Sequence, residues 1–201
     1  MDNIDITPEA YYDILVLMTD APTSVLPLSY IEIHLFSYLS CVLALSQGQA
    51  IEEWGYKYSV TTGGIPFSVE LDNCLKYIEN TGFIYQDSNG LFNRNDNILE
   101  DEISILSEIK SWGNRRYYLK AAVECALALP IGSIRGAIST SPGMDLSVRL
   151  QQSAELLESD DIDELYNEYQ IITSILGHDF KDLLSPAVMW LSARIIQQGE
   201  H

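Results

Sequence analysis

Residues 67–95 read Phe67-Ser68-Val69-Glu70-Leu71-Asp72-Asn73-Cys74-Leu75-Lys76-Tyr77-Ile78-Glu79-Asn80-Thr81-Gly82-Phe83-Ile84-Tyr85-Gln86-Asp87-Ser88-Asn89-Gly90-Leu91-Phe92-Asn93-Arg94-Asn95. Leu71, Cys74, Leu75 and Ile78 recur at helical spacing and so share one face. Ser68 suits the N-cap, where its hydroxyl accepts an otherwise unpaired N–H of the first turn. Gly82 suits the left-handed position that ends a helix. Phe83-Ile84-Tyr85 favours a strand, Asn89-Gly90 a tight turn, and Leu91-Phe92 a return strand. A helix running into a hairpin is the back half of a winged helix. In a DNA-reading winged helix this element enters a phosphate-lined groove and needs Lys, Arg or neutral polar groups. Here Glu70, Asp72 and Glu79 face a single base, Lys76. The fold signal therefore points to a winged helix, and the charge argues against its use on DNA.

Moving towards the N-terminus, Thr61-Thr62-Gly63-Gly64-Ile65-Pro66 reads as a flexible turn. A short helix is expected over 51–58, carrying Trp54, Tyr56 and Tyr58. A long helix is expected over 29–46, with Ile31, Leu35, Leu39, Val42 and Leu43 on one side and Phe36 widening the stripe. It is apolar enough to be the central buried helix, and its Ile31-Leu35-Leu39 face is the expected partner of Leu71, Leu75 and Ile78. His34 has no second His at i+4 and reads as a hydrogen-bonded helix residue, not a metal ligand. Thr7-Pro8-Glu9 starts an N-terminal helix, and Pro22 and Pro27 bracket a connecting loop.

Beyond Asn95 the pattern becomes helical. Helices are expected over 98–112, over 115–129 with Asn114 as cap, from Asp145 to about 158, from Asp160 or Asp161 to Leu176, and from Ser185-Pro186 onward. The Gly-, Ser- and Pro-rich stretch 130–143 reads as a long loop. The expected architecture is mainly α with a small β-hairpin. It comprises an N-terminal helix and connecting loop (1–28), a winged-helix-like domain (29–96) and a helical C-terminal domain (97–201).

The chain has 201 residues and a formal net charge of −18. That field opposes non-specific binding to nucleic acid or anionic membranes and favours basic partners. Cys41, Cys74 and Cys125 are widely spaced in apolar sequence and read as small core residues of a reducing compartment. The N-terminus lacks the pattern of a signal peptide, and no apolar run is long enough to cross a bilayer, so a cytoplasmic protein is expected. No Walker loop, nucleophile elbow or zinc-ligand spacing occurs, so neither a catalytic residue nor a metal or cofactor is expected. His178-Asp179 reads as a loop pair and His201 as a terminal residue. The acidic run Glu155 to Glu168 reads as a solvated face or, functionally, as a docking surface for a basic partner. Arg115, Arg116 and Lys120, interleaved with Tyr117 and Tyr118, either bind phosphate or pair with acids of the same chain.

Three stretches carry a family resemblance: Ile33-His34-Leu35-Phe36, Gly63-Gly64-Ile65-Pro66-Phe67-Ser68, and Leu75-x-x-Ile78-x-x-x-Gly82-Phe83-Ile84. The arrangement resembles the winged-helix middle components of bacterial ABC-three-component defence systems, the Lamassu type among them. The resemblance covers roughly the middle third of the chain. It implies a non-catalytic accessory subunit that binds an SMC-like ATPase and an effector in an anti-phage or anti-plasmid complex, with direct nucleic-acid binding weak at most. The alternative is a winged-helix transcriptional regulator with a helical dimerisation domain. Interface cores favour aromatic and Arg anchors. The candidate partner-binding residues are accordingly Trp54, Tyr56, Tyr58, Trp112, Arg115, Arg116, Tyr117 and Tyr118. At least one of the first three is expected at the surface.

Overall fold

A computed structural model describes residues 5–109, 112–177 and 182–199. Ile4, His178, Asp179 and His201 lie outside the described residues. The chain is mainly helical with two small antiparallel hairpins. In order, the elements are α1 (Pro8–Asp20), α2 (Tyr30–Ser46), a 3-10 turn (Ile51–Trp54), β1 (Ser59–Val60), β2 (Pro66–Phe67), α3 (Val69–Asn80), β3 (Ile84–Gln86) and β4 (Phe92–Arg94). There follow α4 (Asp96–Leu106), α5 (Gly113–Ala128), α6 (Ile131–Ser139), α7 (Met144–Leu150), α8 (Ser159–Leu176) and α9 (Leu184–Gly199). Among the described residues no single helix is long and apolar enough to cross a membrane.

α2 is the hub. Ser29 and Glu32 form a reciprocal capping box: the Ser29 hydroxyl accepts from the Glu32 N–H and Glu32 Oε2 accepts from the Ser29 N–H at 2.6 Å. Every residue from Ile33 to Ser46 is buried, as a helix apolar on all sides requires. Its serines are satisfied internally. Ser40 donates to the Phe36 carbonyl and Ser46 to that of Leu43, each at 2.6 Å. His34 Nδ1 accepts the Ser68 N–H at 3.3 Å, and its ring lies between Tyr30 and Phe67. It is thus the hydrogen-bonded helix residue its surroundings in the sequence suggest. Around α2 pack α1, α5 and α8, while α9 closes the far side against α5, α6 and α8. Elements on both sides of residue 96 share one continuous core.

α3 begins at the Ser68 cap, whose hydroxyl accepts the Leu71 N–H at 3.4 Å, and buries Leu71, Cys74, Leu75 and Ile78. Its stripe lies against α1 instead of the Ile31-Leu35-Leu39 side of α2. The faces of α2 are already covered by α1, α5 and α8, so α1 is interposed as the partner. The β3–β4 hairpin follows, in the register Ile84↔Arg94 and Gln86↔Phe92. Leu28 bridges Phe92 and lends the hairpin a third extended segment. Arg94 Nη1 reaches back to the carbonyls of Met18 and Thr19 at 3.1 and 2.7 Å, tying the hairpin to the C-terminus of α1.

The stretch 61–66 forms the expected turn and closes the β1–β2 hairpin, with Thr61 N–H donating to the Ile65 carbonyl at 3.0 Å. Other sequence expectations change. The helix expected over 51–58 stops at Trp54, because Gly55 adopts φ +89° and Glu9 lies against it where a Cβ would stand. The stretch 130–143 contains α6, since Ile134, Ala137 and Ile138 bury a helical stripe despite the surrounding glycines. The helix starting near Asp145 ends at Leu150, where Gln151 turns left-handed; the following segment then runs extended beside β1.

Candidate functional site

The site begins with a carboxylate in the wrong place. Asp13 sits in Tyr12-Asp13-Ile14-Leu15-Val16-Leu17-Met18, where every residue is buried, and Asp13 itself is 0% exposed. A buried charge needs a partner. Arg115 on α5 supplies it in a two-pronged pair, with Nε on Oδ1 and Nη2 on Oδ2, the latter at 2.7 Å. The Tyr56 hydroxyl donates to Asp13 Oδ2. Ser37 of α2 lies 2.6 Å from the Tyr56 hydroxyl and 2.7 Å from that of Tyr58, and Trp54 Nε1 donates to Tyr58 at 3.2 Å. The Arg115 guanidinium lies 3.8 Å from the centre of the Trp54 ring, a cation–π contact. Four elements therefore converge on one polar knot inside an apolar core.

The electrostatics follow from burial. Burial pushes the Asp13 carboxyl up, and Arg115 and the Tyr56 hydroxyl oppose that push. Against the pull of burial, Asp13 holds the Arg115 guanidinium above its usual range. Burial, then the neighbouring Asp13, raises the Tyr56 phenol; burial, then Tyr56, raises Tyr58. Both remain neutral donors. The buried thiol of Cys41 is likewise pushed up and stays protonated.

Beside the knot lies a cavity of about 440 Å³ between α1, α2, the 3-10 turn and α5. Trp54, Trp112, Tyr118 and Arg115 wall it, and Glu9 and Glu53 are its carboxylates. Nη1 is the guanidinium nitrogen of Arg115 without a hydrogen bond among the described residues. The cavity thus combines aromatic faces with a guanidinium donor, two carboxylates and the amides of Gln49 and Asn114, which is the make-up of a recognition site. Asp13 is sealed beneath it and committed to three donors, so it serves as framework. Among the described residues no three His, Cys, Asp or Glu side chains gather as metal ligands.

No family model, no curated protein and no solved structure matches this chain. The reading of the site therefore rests on its geometry.

The structure brings together six of the eight sequence candidates. Trp54, Tyr56, Tyr58 and Arg115 form the knot, and Trp112 packs on Tyr12 at the cavity wall, with ring centres 4.7 Å apart and planes tilted by 36°. Trp54, Tyr56 and Tyr58 are all buried, contrary to the expectation that one reaches the surface. Their polar tips all find partners inside, which removes the reason for any of them to face water. Arg116 pairs with Asp20 at 2.7 and 2.8 Å, and Lys120 approaches Glu124 at 3.8 Å. Of the two readings of the basic cluster, pairing within the chain is what the geometry shows. Tyr118 is buried and lines the cavity, while Tyr117 is exposed. Sequence reasoning missed Asp13 and Ser37. The available signal was an acid within an unbroken apolar helix, which needs a buried cation in a chain that has few.

Proposed function

We propose that this chain is a non-catalytic accessory subunit that binds an SMC-like ATPase and an effector through a winged-helix unit, as the middle components it resembles do. The unit takes in α1 as first helix, the Leu28 segment, α2, α3 and the β3–β4 hairpin. The order of these elements and the Leu28–Phe92 bridge support it. One observation carries the functional reading. On α3 and the hairpin after it, Val69, Tyr77 and Tyr85 are 58%, 39% and 54% exposed beside Glu70, Asp72 and Glu79. Of the two bases there, Lys76 is occupied by Asp72 at 2.6 Å, and Arg94 by Asp96 and the carbonyls of Met18 and Thr19. Exposed aromatic and aliphatic groups among carboxylates suit a protein surface and repel phosphate. Exposed Tyr117 on α5 adds a further anchor.

The experiment is co-expression with a coiled-coil ATPase encoded beside this chain, using Tyr77→Ala together with Tyr85→Ala. The wild type is expected to co-purify with the ATPase, and the folded double variant to lose about tenfold in association or more. Full association of a folded double variant would refute the surface. Submicromolar, steeply salt-dependent binding of duplex DNA at about 150 mM salt would favour a transcriptional regulator instead.

A further inference from the structure

The segment after α7 leaves the helical layer and runs beside β1. Leu156 N–H donates to the Tyr58 carbonyl and Val60 N–H to the Ala154 carbonyl, each at 2.9 Å, which places Glu155 opposite Ser59. In an antiparallel pair bonded through the residues on either side, the middle residue turns its own N–H and C=O outward. Glu155 makes no backbone hydrogen bond among the described residues. It therefore presents a strand edge with a free donor and a free acceptor.

The same segment lines a groove. Three adjoining concavities of about 610, 290 and 380 Å³ share Lys57, Glu70, Glu155 and Glu158 between them. Their apolar lining includes Ile51, Phe67 and Leu157. Their carboxylates are Glu52, Glu70, Glu155, Glu158 and Asp160, and the one base is Lys57, already paired with Glu155. Apolar side chains, an open strand edge and an excess of negative charge thus meet at the Glu155 segment.

We infer that this groove receives an extended segment of a partner protein in which Lys or Arg alternates with apolar residues, added as a strand along Glu155. The inference rests on the reading of the chain as a protein-binding subunit. Strand addition supplies main-chain hydrogen bonds, and its period of two delivers alternate side chains to the carboxylates and to the apolar lining. The fixed charges steer the encounter, so binding weakens as salt rises.

The test is fluorescence anisotropy on the whole chain with a labelled decapeptide of alternating Lys and Leu. An alternating Glu-Leu peptide and a Lys-Gly peptide serve as comparisons. Only the Lys-Leu peptide is expected to bind well. Glu52→Gln with Glu70→Gln should weaken it about tenfold, whereas Asp163→Asn with Glu164→Gln, on the exposed side of α8, should leave it unchanged. Lys57→Gln, at an exposed pair, should tighten binding about threefold by freeing Glu155. Equal weakening by both double variants would assign binding to the general field of the molecule and overturn the groove. So would equal binding of the Lys-Gly peptide, or no binding at all. Peptide binding without ATPase association would refute the proposed complex and leave the groove standing; the reverse would refute the groove alone.

Discussion

Asp13 and Arg115 illustrate how a residue becomes structural by being sealed. Burying two charges costs several kcal/mol each, and their attraction offsets this only when geometry and further hydrogen bonds are good. Both conditions hold: the pair is two-pronged, and Tyr56 donates to the same carboxylate. The knot's effect on stability is therefore asymmetric. Asp13→Leu leaves a guanidinium uncompensated and should cost about 3–5 kcal/mol, as should Arg115→Met by the reverse argument. Asp13→Leu with Arg115→Met should cost far less than the sum, a difference that urea unfolding of the two singles and the double measures directly. His34 gives a pH-dependent counterpart. Burial lowers its pKa from 6.5 to about 4, with Asp72 opposing, so the folded state holds it neutral. Between those values the unfolded chain binds the extra proton, and stability must fall as pH falls. The loss should reach about 2–3 kcal/mol near pH 4. Unfolding free energies of wild type and His34→Gln at about pH 7 and pH 4.5 check this, since the variant lacks that part of the acid loss. Identical pH dependence in both would refute it.

Among the elements, the legible ones were those whose cause is local. The Ser68 cap and the Leu71-Cys74-Leu75-Ile78 stripe lie within one helix, and the structure buries all four residues there. The all-round apolarity of α2 likewise announced a central helix. Elements decided by distant partners did not show. Pro130, Gly132, Ser133 and Gly136 look like a loop, yet α6 forms because Ile134, Ala137 and Ile138 find α9. Gln198 of α9 donates to the Gly136 carbonyl at 2.5 Å, an approach the missing side chain permits. The extended run near Glu155 owes its form to β1, which lies nearly half the chain away. The aromatic knot was half legible. Its members could be named as a group, but their burial depended on Asp13 and Ser37, which no local pattern connected to them.

At the scale of the molecule, the decisive feature is the reach of α1. It covers the apolar stripe of α3 and also packs on α4 and α5, and its Asp13 and Asp20 hold Arg115 and Arg116. Leu71, Leu75 and Ile78 are each worth about 1.5–3 kcal/mol when buried. A core of fewer than about 70–80 residues rarely supplies more than about 3–5 kcal/mol in total. Removing the cover from three such side chains therefore outweighs everything a small unit could hold in reserve. The Ser37 hydroxyl and the Tyr56 phenol would also lose the carboxylate that organises them. A polypeptide of residues 29–96, the span of the winged-helix pattern in the sequence, is accordingly expected to show no cooperative thermal transition by circular dichroism. The full chain should melt in one. If residues 29–96 alone unfold cooperatively near the midpoint of the full chain, α1 is an accessory to that unit and not its first helix. The co-expression experiment would then have to be read on the shorter unit.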